Sequence, residues 1–243
     1  MNILIVGFGH IGKWIYDYFK HRGAKLQWLD VIPKRIRNPT DVLHICYPFG
    51  QSFVKDTCNY IERFKPRKFS IIESTVIPGT TREVYNLTKT AVVHSPLRGN
   101  GENWWKWVKF IGAIEPSTAE AVENYYNSFG ILTDTLDNPE TTELGKLFDT
   151  SIYSGLIFIH QELSRICKKF NVSYEQAILD FSSTFTIDPN YKISRPLIWD
   201  GVIGGHCLIQ NCKLLYAITG CHLFKDIIDS NEKRKEELKS DSK

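Results

Sequence analysis

The sequence predicts an α/β fold in which a doubly wound parallel sheet is followed by a small all-helical domain. Short apolar segments alternate with helix-like stretches up to residue 137, and such alternation is typical of a parallel sheet with helices on both faces. Beyond it, the stretch from Thr141 to Phe170 contains no proline and is apolar around much of its circumference, as in a helix buried between domains or in a dimer. We therefore predict an α/β domain over 1–138, a helical central domain over 139–230 and a charged tail over 231–243.

The predicted strands are short apolar runs bounded by turn residues. NILIV (2–6) comes first and has the character of a strand buried on both faces. Helices are predicted over 13–23, which Gly23 ends, and over 116–128, which Pro116 begins. The further predicted strands lie in KLQWLD (25–30), DVLHICYP (41–48), KFSIIEST (68–75), AVVHSP (91–96) and ILTDTLD (131–137).

The composition excludes several classes of function. The chain has 243 residues, 42% of them hydrophobic, and a formal charge of +3. A core can therefore form, and the charge is too balanced for nucleic acid or an anionic membrane as the main partner. No apolar run reaches the roughly 20 residues of a membrane span. Because MNILIV follows the start without a basic segment, we expect a strand rather than a signal peptide, and six thiols in the cytoplasm rather than disulfides.

A glycine-rich turn joins the first strand to the first helix. GFGHIG (7–12) has the strand–turn–helix context of a Rossmann-type dinucleotide site, and Asp30 follows 18 positions after Gly12. In such a site Gly7 makes the tight turn, Gly9 lets the backbone approach a pyrophosphate, and Gly12 lets helix and strand pack closely. The alternative is a structural turn that binds no ligand.

The predicted cofactor is NAD. The first helix offers N–H groups and a partial positive charge to the phosphates, and an aspartate at position 30 suits both hydroxyls of the adenosine ribose. Lys34 and Arg35 follow closely, so NADP stays open. The predicted cofactor-binding residues are Gly7, Phe8, Gly9, His10, Ile11, Gly12, Asp30, Tyr47, Pro48 and Thr75.

Five motifs in order resemble the UDP-glucose/GDP-mannose (nucleotide-sugar) dehydrogenase family. After GFGHIG come ESTVIPGTT (73–81), HSPLRGNGE (94–102), ETTELGKLFDT (140–150) and GVIGGHC (201–207). The resemblance covers that family's N-terminal NAD-binding and central helical domains, and not the third domain, which holds the nucleotide of the sugar. It implies oxidation of a sugar alcohol to a carboxylate with two NAD, a nucleotide sugar as substrate, and a homodimer formed through the central domain.

The resemblance also implies roles for individual residues. Cys207 matches the catalytic cysteine, whose thiolate attacks an aldehyde and becomes a thioester after a second hydride transfer. Lys146 matches a lysine that stabilises oxyanions, and Thr75 matches a threonine near the nicotinamide that helps to hold a water. We assign Thr150 and Asn211 to the catalytic site as well, although they stand where the family has asparagine and aspartate.

A further departure is Leu97, where the family has a glutamate linked to thioester hydrolysis. Without this glutamate and the aspartate that Asn211 replaces, the general base that activates water is missing. We therefore expect either a reaction that stops after one hydride transfer or a different substrate. Two alternatives therefore stay open. One is a two-electron hydroxyacid dehydrogenase of the 6-phosphogluconate-dehydrogenase-like superfamily, and the other is a catalytically lapsed NAD-binding protein.

Three other features have simpler explanations than a binding site. The aromatic segment NWWKWVKF (103–110) is predicted to be a packing patch against the second domain, a dimer partner or a substrate lid, rather than a nucleic-acid surface. His94 is predicted to be a structural, hydrogen-bonded residue. No metal site is predicted, because the spacings of a nearby His and Cys group fit no standard zinc pattern; its members are His206, Cys207, Cys212, Cys221 and His222.

Overall fold

The computed structural model describes residues 1–31, 36, 39–99, 101–183, 198–205 and 207–240. Their contacts divide the chain into two compact units, Met1–Lys146 and Leu147–Lys243. None of the helices in these ranges is both long and apolar enough to cross a membrane.

The first unit contains a seven-stranded sheet in the order β2-β1-β3-β4-β5-β6-β7. The first five strands are parallel, β6 is antiparallel to β5, and β7 is parallel to β6. The strands are β1 (Asn2–Val6), β2 (Lys25–Leu29), β3 (Val42–Ile45), β4 (Phe69–Ile72), β5 (Val92–His94), β6 (Lys109–Ala113) and β7 (Thr133–Leu136), and the helices are α1 (His10–Lys20), α2 (Phe53–Phe64), α3 (Thr80–Thr88) and α4 (Pro116–Ser128).

Alternate residues of β1 enter two separate hydrophobic clusters, one on each face of the sheet. Ile3 and Ile5 of β1 pack with Phe19 of α1, whereas Leu4 and Val6 pack with side chains of α2 and α3. Both faces are thus covered by helices, as expected of a doubly wound sheet. The predicted fold class is confirmed.

Strand β6 and its direction were not predicted. Only 14 residues separate His94 from Lys109, and they contain a 3₁₀ helix, Gly101–Lys106, rather than an α-helical crossover. This length would suffice for a parallel return, but such a return usually needs an α-helical crossover, and because the described part of this segment contains none, the chain turns back antiparallel. Lys109 and Gly112 also weaken the strand pattern of KFIGA.

The aromatic segment that precedes β6 packs inside its own unit. Trp104 is buried, and its indole N–H donates to the carbonyl oxygen of Trp14 on α1 at 3.3 Å. Trp107 is 55% exposed. The expectation that this segment packs against another domain is therefore wrong for Trp104, whose partners are α1 and the sheet core.

The second unit is helical. The long helix α5 (Pro139–Phe170) begins in the first unit, and a π-helical turn at Glu175–Asp180 leads into α6 (Phe181–Ser183). The helices α7 (Leu208–Thr219) and α8 (His222–Ser240) complete the unit. Its buried hydrophobic core includes the cluster of Ile157, Ile203, Cys212 and Ile227.

Most of the predicted charged tail belongs to α8, which runs to Ser240. Two of its polar side chains, Asn231 and Arg234, are buried. All six cysteines are free thiols.

Candidate functional site

The glycine turn after β1 has a geometry that only glycine permits at two positions. Gly7 has φ of +91°, and a Cβ there would lie 2.6 Å from the backbone nitrogen of Tyr47. A Cβ on Gly12 would lie 2.0 Å from the carbonyl oxygen of Gly7. A Cβ on Gly9, in contrast, would meet no described atom within 4 Å. The backbone at Gly9 therefore faces open space, as a cradle for a pyrophosphate requires.

The side chains of this turn hold its shape. Phe8 stacks on Trp28 of β2, with ring centroids 4.2 Å apart, and contacts Tyr16 of α1 edge-on at 5.4 Å. Ile11 packs on the core cluster beneath α1. His10 begins α1, with its ring 5.9 Å from that of Trp14. These contacts fix the backbone that would meet a ligand.

Asp30 lies at the same edge of the sheet as this turn. It follows β2 directly, and the N–H of Gly7 donates to the carbonyl of Leu29 at 2.9 Å. The predicted acidic residue is thus next to the glycine turn. Lys34 and Arg35, which kept NADP open, lie outside the described residues.

The loops that follow β3 and β4 meet at this edge as well. The hydroxyl of Ser74 donates to the carbonyl oxygen of Tyr47 at 2.6 Å, and the Tyr47 hydroxyl lies 2.5 Å from Thr57 Oγ1 on α2. Pro48 and Thr75 are the next residues of these two loops. Because β1 lies between β2 and β3, this edge is the topological switch point, where α/β sheets bind their ligands.

A buried ionic network lies beneath these loops, and sequence reasoning missed it. The Glu73 carboxylate is 2.9 Å from His44 Nδ1, accepts from the Tyr126 hydroxyl at 2.8 Å and pairs with the Lys109 ammonium. Burial acts to raise the pKa of Glu73, but Lys109 and His44 outweigh it and bring the pKa to about 2. The network fixes the end of β4 immediately before Ser74. The only signal in the sequence was a glutamate ending an apolar strand.

His94 is structural, as predicted. It is fully buried, with Nε2 3.2 Å from the carbonyl oxygen of Ser74 and Nδ1 2.7 Å from Thr142 Oγ1. A carbonyl only accepts, so Nε2 carries the hydrogen and Nδ1 accepts from the Thr142 hydroxyl. Burial, with smaller contributions from Lys109 and Lys146, lowers the pKa of His94 to about 3. The ring is therefore neutral near neutral pH.

Lys146 is the last residue of the first unit and is partly buried on α5. Its ammonium is near enough to lower the pKa of His94. Nε2 of His94 donates a hydrogen bond to the carbonyl oxygen of Ser74, the residue before Thr75. The first unit therefore contains both Thr75 and Lys146. One turn before Lys146, Glu143 binds the start of α3, a contact that sequence reasoning also missed.

The second unit contains the other three predicted catalytic residues. Cys207 is exposed and occupies the N-cap position of α7. One turn along that helix Asn211 is buried, and its Nδ2 donates to Thr150 Oγ1 on α5 at 2.7 Å. Thr150 and Asn211 thus come together, as two neutral side chains. Leu97, in the first unit, is 4% exposed and belongs to the hydrophobic core.

Buried amides hold the glycine-containing segment that precedes Cys207. Gln161 Nε2 donates to the carbonyl of Gly201 at 2.7 Å, and Asn231 Oδ1 accepts from the N–H of Ile203 at 2.7 Å. His206 lies outside the described residues. Within the described ranges, no three His, Cys, Asp or Glu side chains converge as a metal site.

The sequence is similar to curated UDP-N-acetyl-D-mannosamine dehydrogenases. That of Pyrococcus horikoshii is 29% identical over 159 residues, which cover 60% of this chain and 36% of that protein. That of Methanocaldococcus jannaschii is 27% identical over 160 residues, covering 61% and 36%. The chain thus matches about a third of the length of these relatives. No protein-family model matches the sequence.

Solved structures show the same fold. The UDP-N-acetyl-mannosamine dehydrogenase of Staphylococcus aureus aligns with a TM-score of 0.79 at 18% identity, over 98% of this chain and 69% of that one. The 3-hydroxyisobutyrate dehydrogenase of Mycobacterium tuberculosis aligns with a TM-score of 0.71 at 16% identity, over 96% and 92%. By its motifs and its sequence similarity the chain resembles the nucleotide-sugar dehydrogenases over part of their length, and its fold is the same.

Proposed function

We propose that the chain is an NAD-dependent dehydrogenase that oxidises an alcohol group of a nucleotide sugar. The observation that carries this proposal is the turn at Gly7, Gly9 and Gly12, which leaves the backbone of Gly9 open at the topological switch point of the sheet. The similarity to UDP-N-acetyl-D-mannosamine dehydrogenases supports the substrate class.

The residues of the switch point fit NAD. The turn from Gly7 to Gly12 and the N-terminus of α1 would hold the pyrophosphate, because backbone N–H groups and the helix dipole favour anions there. The Asp30 carboxylate would accept hydrogen bonds from the ribose hydroxyls. The loops at Tyr47, Pro48 and Thr75 would line the rest of the cofactor site. NAD⁺, when bound, supplies the hydride acceptor.

Lys146 and Thr75 would serve the alcohol oxidation. As the substrate hydroxyl loses its proton, negative charge builds on the oxygen, and the Lys146 ammonium would stabilise it. Thr75, at the carboxyl end of β4, would hold a water or the substrate near the cofactor. Both residues lie in the unit that contains the glycine turn.

Cys207 would be the nucleophile of a second step. Its thiolate would add to the aldehyde carbon and form a thiohemiacetal, which a second hydride transfer would convert into a thioester. Hydrolysis of a thioester needs a base to activate water. Leu97 is packed in the core, and the Asn211 amide is already hydrogen-bonded to Thr150, so neither supplies that base.

This absence of a carboxylate at positions 97 and 211 favours a second candidate function. A dehydrogenase that transfers one hydride and releases a carbonyl product needs no hydrolytic base. The likeness in fold to a 3-hydroxyisobutyrate dehydrogenase, which the chain covers over 92% of its length, is compatible with this candidate. A small hydroxyacid would then be the substrate.

We propose a homodimer formed through α5. Five large apolar side chains on this helix are exposed and recur every four or seven residues, so they form one stripe along its length. They are Phe148, Ile152, Ile159, Ile166 and Phe170. The opposite face, which includes Ile157, is buried within the second unit. The six free thiols support a reducing compartment, and we place the protein in the cytoplasm.

The proposed function is tested by following NADH formation with a panel of UDP-sugars, GDP-sugars and small hydroxyacids. Turnover of a nucleotide sugar supports the first candidate, and turnover of a hydroxyacid alone supports the second. Binding of NAD without turnover of any panel member indicates a catalytically lapsed protein. The matched control is Gly9→Val, which should show no turnover with any substrate because it blocks the pyrophosphate path.

A further inference from the structure

The start of α5 is fastened to the start of α3 by a buried carboxylate. Glu143 accepts hydrogen bonds from the N–H of Gly79 at 2.7 Å, the N–H of Thr81 at 2.8 Å and the Thr81 hydroxyl at 2.7 Å. The Glu143 side chain is fully buried. A carboxylate that receives two backbone N–H groups at a helix N-terminus is held in one position and is favoured by the helix dipole.

A second buried contact joins the same turn of α5 to the carboxyl end of β4. The Thr142 hydroxyl donates to Nδ1 of His94, and Nε2 of His94 donates to the carbonyl oxygen of Ser74. Residues 142 and 143 of α5 thus hold the loop between β4 and α3 at its two ends, Ser74 and Gly79. Thr75 lies inside this loop.

We propose that Glu143, together with Thr142 and His94, positions Lys146 relative to the loop that carries Thr75. The inference rests on the proposed function, in which Thr75 lines the cofactor site and Lys146 stabilises an oxyanion. Lys146 is three residues after Glu143 on the helix, so the two side chains are neighbours and a fixed Glu143 sets the rotation of Lys146 about the helix axis. Small displacements of such groups cost large factors in rate.

The chain contains a natural control for this contact. Glu140, one turn before Glu143, pairs with Arg82 of α3 through hydrogen bonds of 2.5 and 2.9 Å. This pair joins the same two helices, but it lies at the exposed surface. Exposed pairs contribute little, about 0–1 kcal/mol. Glu140→Gln therefore removes a carboxylate and a link to α3 from the same helix, but leaves the buried contact of Glu143 intact.

The charge state of Glu143 gives the contact a pH signature. Burial, together with the Glu140 carboxylate, raises the pKa of Glu143 to about 7 against the effect of its donors. The charged groups beside it are Glu140 and Lys146 on α5 and Arg82 on α3. Only the ionised carboxylate can accept from all of its donors. The hydrogen bonds between Glu143 and the start of α3 should therefore strengthen as the pH rises through neutrality.

The experiment compares the wild type with Glu143→Gln, with Glu140→Gln as the matched control. NAD affinity is measured by calorimetry from about pH 6 to about pH 8, and acetylation of Lys146 is followed by mass spectrometry. We expect wild-type affinity to rise across this range. At the upper pH, Glu143→Gln should bind NAD at least about tenfold more weakly than the wild type, because hydrogen bonds to a buried charge are lost. The variant should also lose the pH dependence of NAD affinity and show a changed rate of Lys146 acetylation. Glu140→Gln should match the wild type in NAD affinity and Lys146 acetylation at the upper pH, and its pH profile should move to lower pH, because a carboxylate that raises the pKa of Glu143 is removed.

If Glu143→Gln has the same NAD affinity, pH profile and Lys146 acetylation rate as the wild type, the inference is overturned and the proposed function stands. A wild type that binds no NAD would refute the proposed function itself. If Glu143→Gln does not fold, Thr81→Val decides, because it removes one donor to Glu143 and nearly preserves the shape of the side chain. It should weaken NAD binding several-fold, and an unchanged affinity would overturn the inference.

Discussion

Asn211 and Thr150 are joined by a side-chain hydrogen bond within the helical unit. Asn211 Nδ2 donates to Thr150 Oγ1 at 2.7 Å, and that hydroxyl donates in turn to the carbonyl oxygen of Leu147 at 3.1 Å. The resemblance to nucleotide-sugar dehydrogenases placed an asparagine and an aspartate at these two positions. The pair found here is neutral, so it can orient a substrate or a helix but cannot take a proton from water.

The contact between these two side chains should contribute measurably to stability. Thr150→Val leaves the buried Asn211 amide without its acceptor, and we expect a loss of about 1 to 2 kcal/mol in the free energy of unfolding. Asn211→Ala and the double variant complete a mutant cycle measured by urea denaturation. If the two single effects simply add, within about 0.5 kcal/mol, the hydrogen bond contributes nothing and the geometry is wrong.

Cys207 should react faster than Cys46, Cys58 and Cys167. It is exposed, whereas Cys46 and Cys167 are buried and Cys58 is half-buried. Burial raises the pKa of both Cys46 and Cys58, which removes thiolate at neutral pH. In a pulse of iodoacetamide followed by peptide mass spectrometry, Cys207 should be labelled before these three thiols. Labelling of Cys207 no faster than that of Cys46 would contradict both its exposure and its proposed role.

The buried His94 should make the fold sensitive to acid. Its pKa is lowered to about 3 in the folded chain, whereas a histidine in an unfolded chain has a pKa of about 6.5. As the pH falls from about 6.5 toward 3, the histidine takes up a proton in the unfolded chain but not in the folded chain. The free energy of unfolding therefore decreases over this pH range. His94→Gln should lose less stability between about pH 6.5 and about pH 4.5 in urea denaturation. An equal loss in the variant and the wild type would show that His94 does not titrate as described.

The exposed stripe of α5 should hold two copies of the chain together. Ile159 lies at its centre and is 50% exposed. In light scattering at micromolar concentration we expect the wild type to have the mass of a dimer, with on the order of 2,000 Å² buried in total. Ile159→Glu should give the mass of a monomer, because a charge would be buried in an apolar interface. Lys168→Glu, off the stripe on the same helix, should remain dimeric. A monomeric wild type would refute the dimer.

Much of the first unit could be predicted from local sequence. The strand–turn–helix at Gly7 to Gly12 is specified by residues next to one another, and the helix predicted over 116–128 is found as α4 with the same ends. Steric constraints explain why: a side chain at position 7 or 12 would collide with backbone atoms. Local rules therefore place these elements without reference to the rest of the fold.

The contacts that escaped prediction join residues far apart in the chain. Glu143 binds Gly79 across 64 positions, and Glu73 binds Tyr126 across 53. Strand β6 was missed for a related reason, since its buried Lys109 is acceptable only because Glu73 neutralises it. Hydrophobic patterning treats each of these charged residues as exposed, so their roles become visible only when the strands are assembled.

A titration of the chain with NAD, compared with Gly9→Val, tests the central claim most directly. A Cβ at position 9 meets no described protein atom within 4 Å, so the variant should fold with an unchanged melting temperature. It should nevertheless show no NAD binding by calorimetry, because the valine would occupy the path of the pyrophosphate. Asp30→Ala should bind NAD more weakly than the wild type and discriminate less against NADP. If the Gly9 variant binds NAD as tightly as the wild type, the glycine turn is not the cofactor site and the proposed dehydrogenase mechanism fails with it.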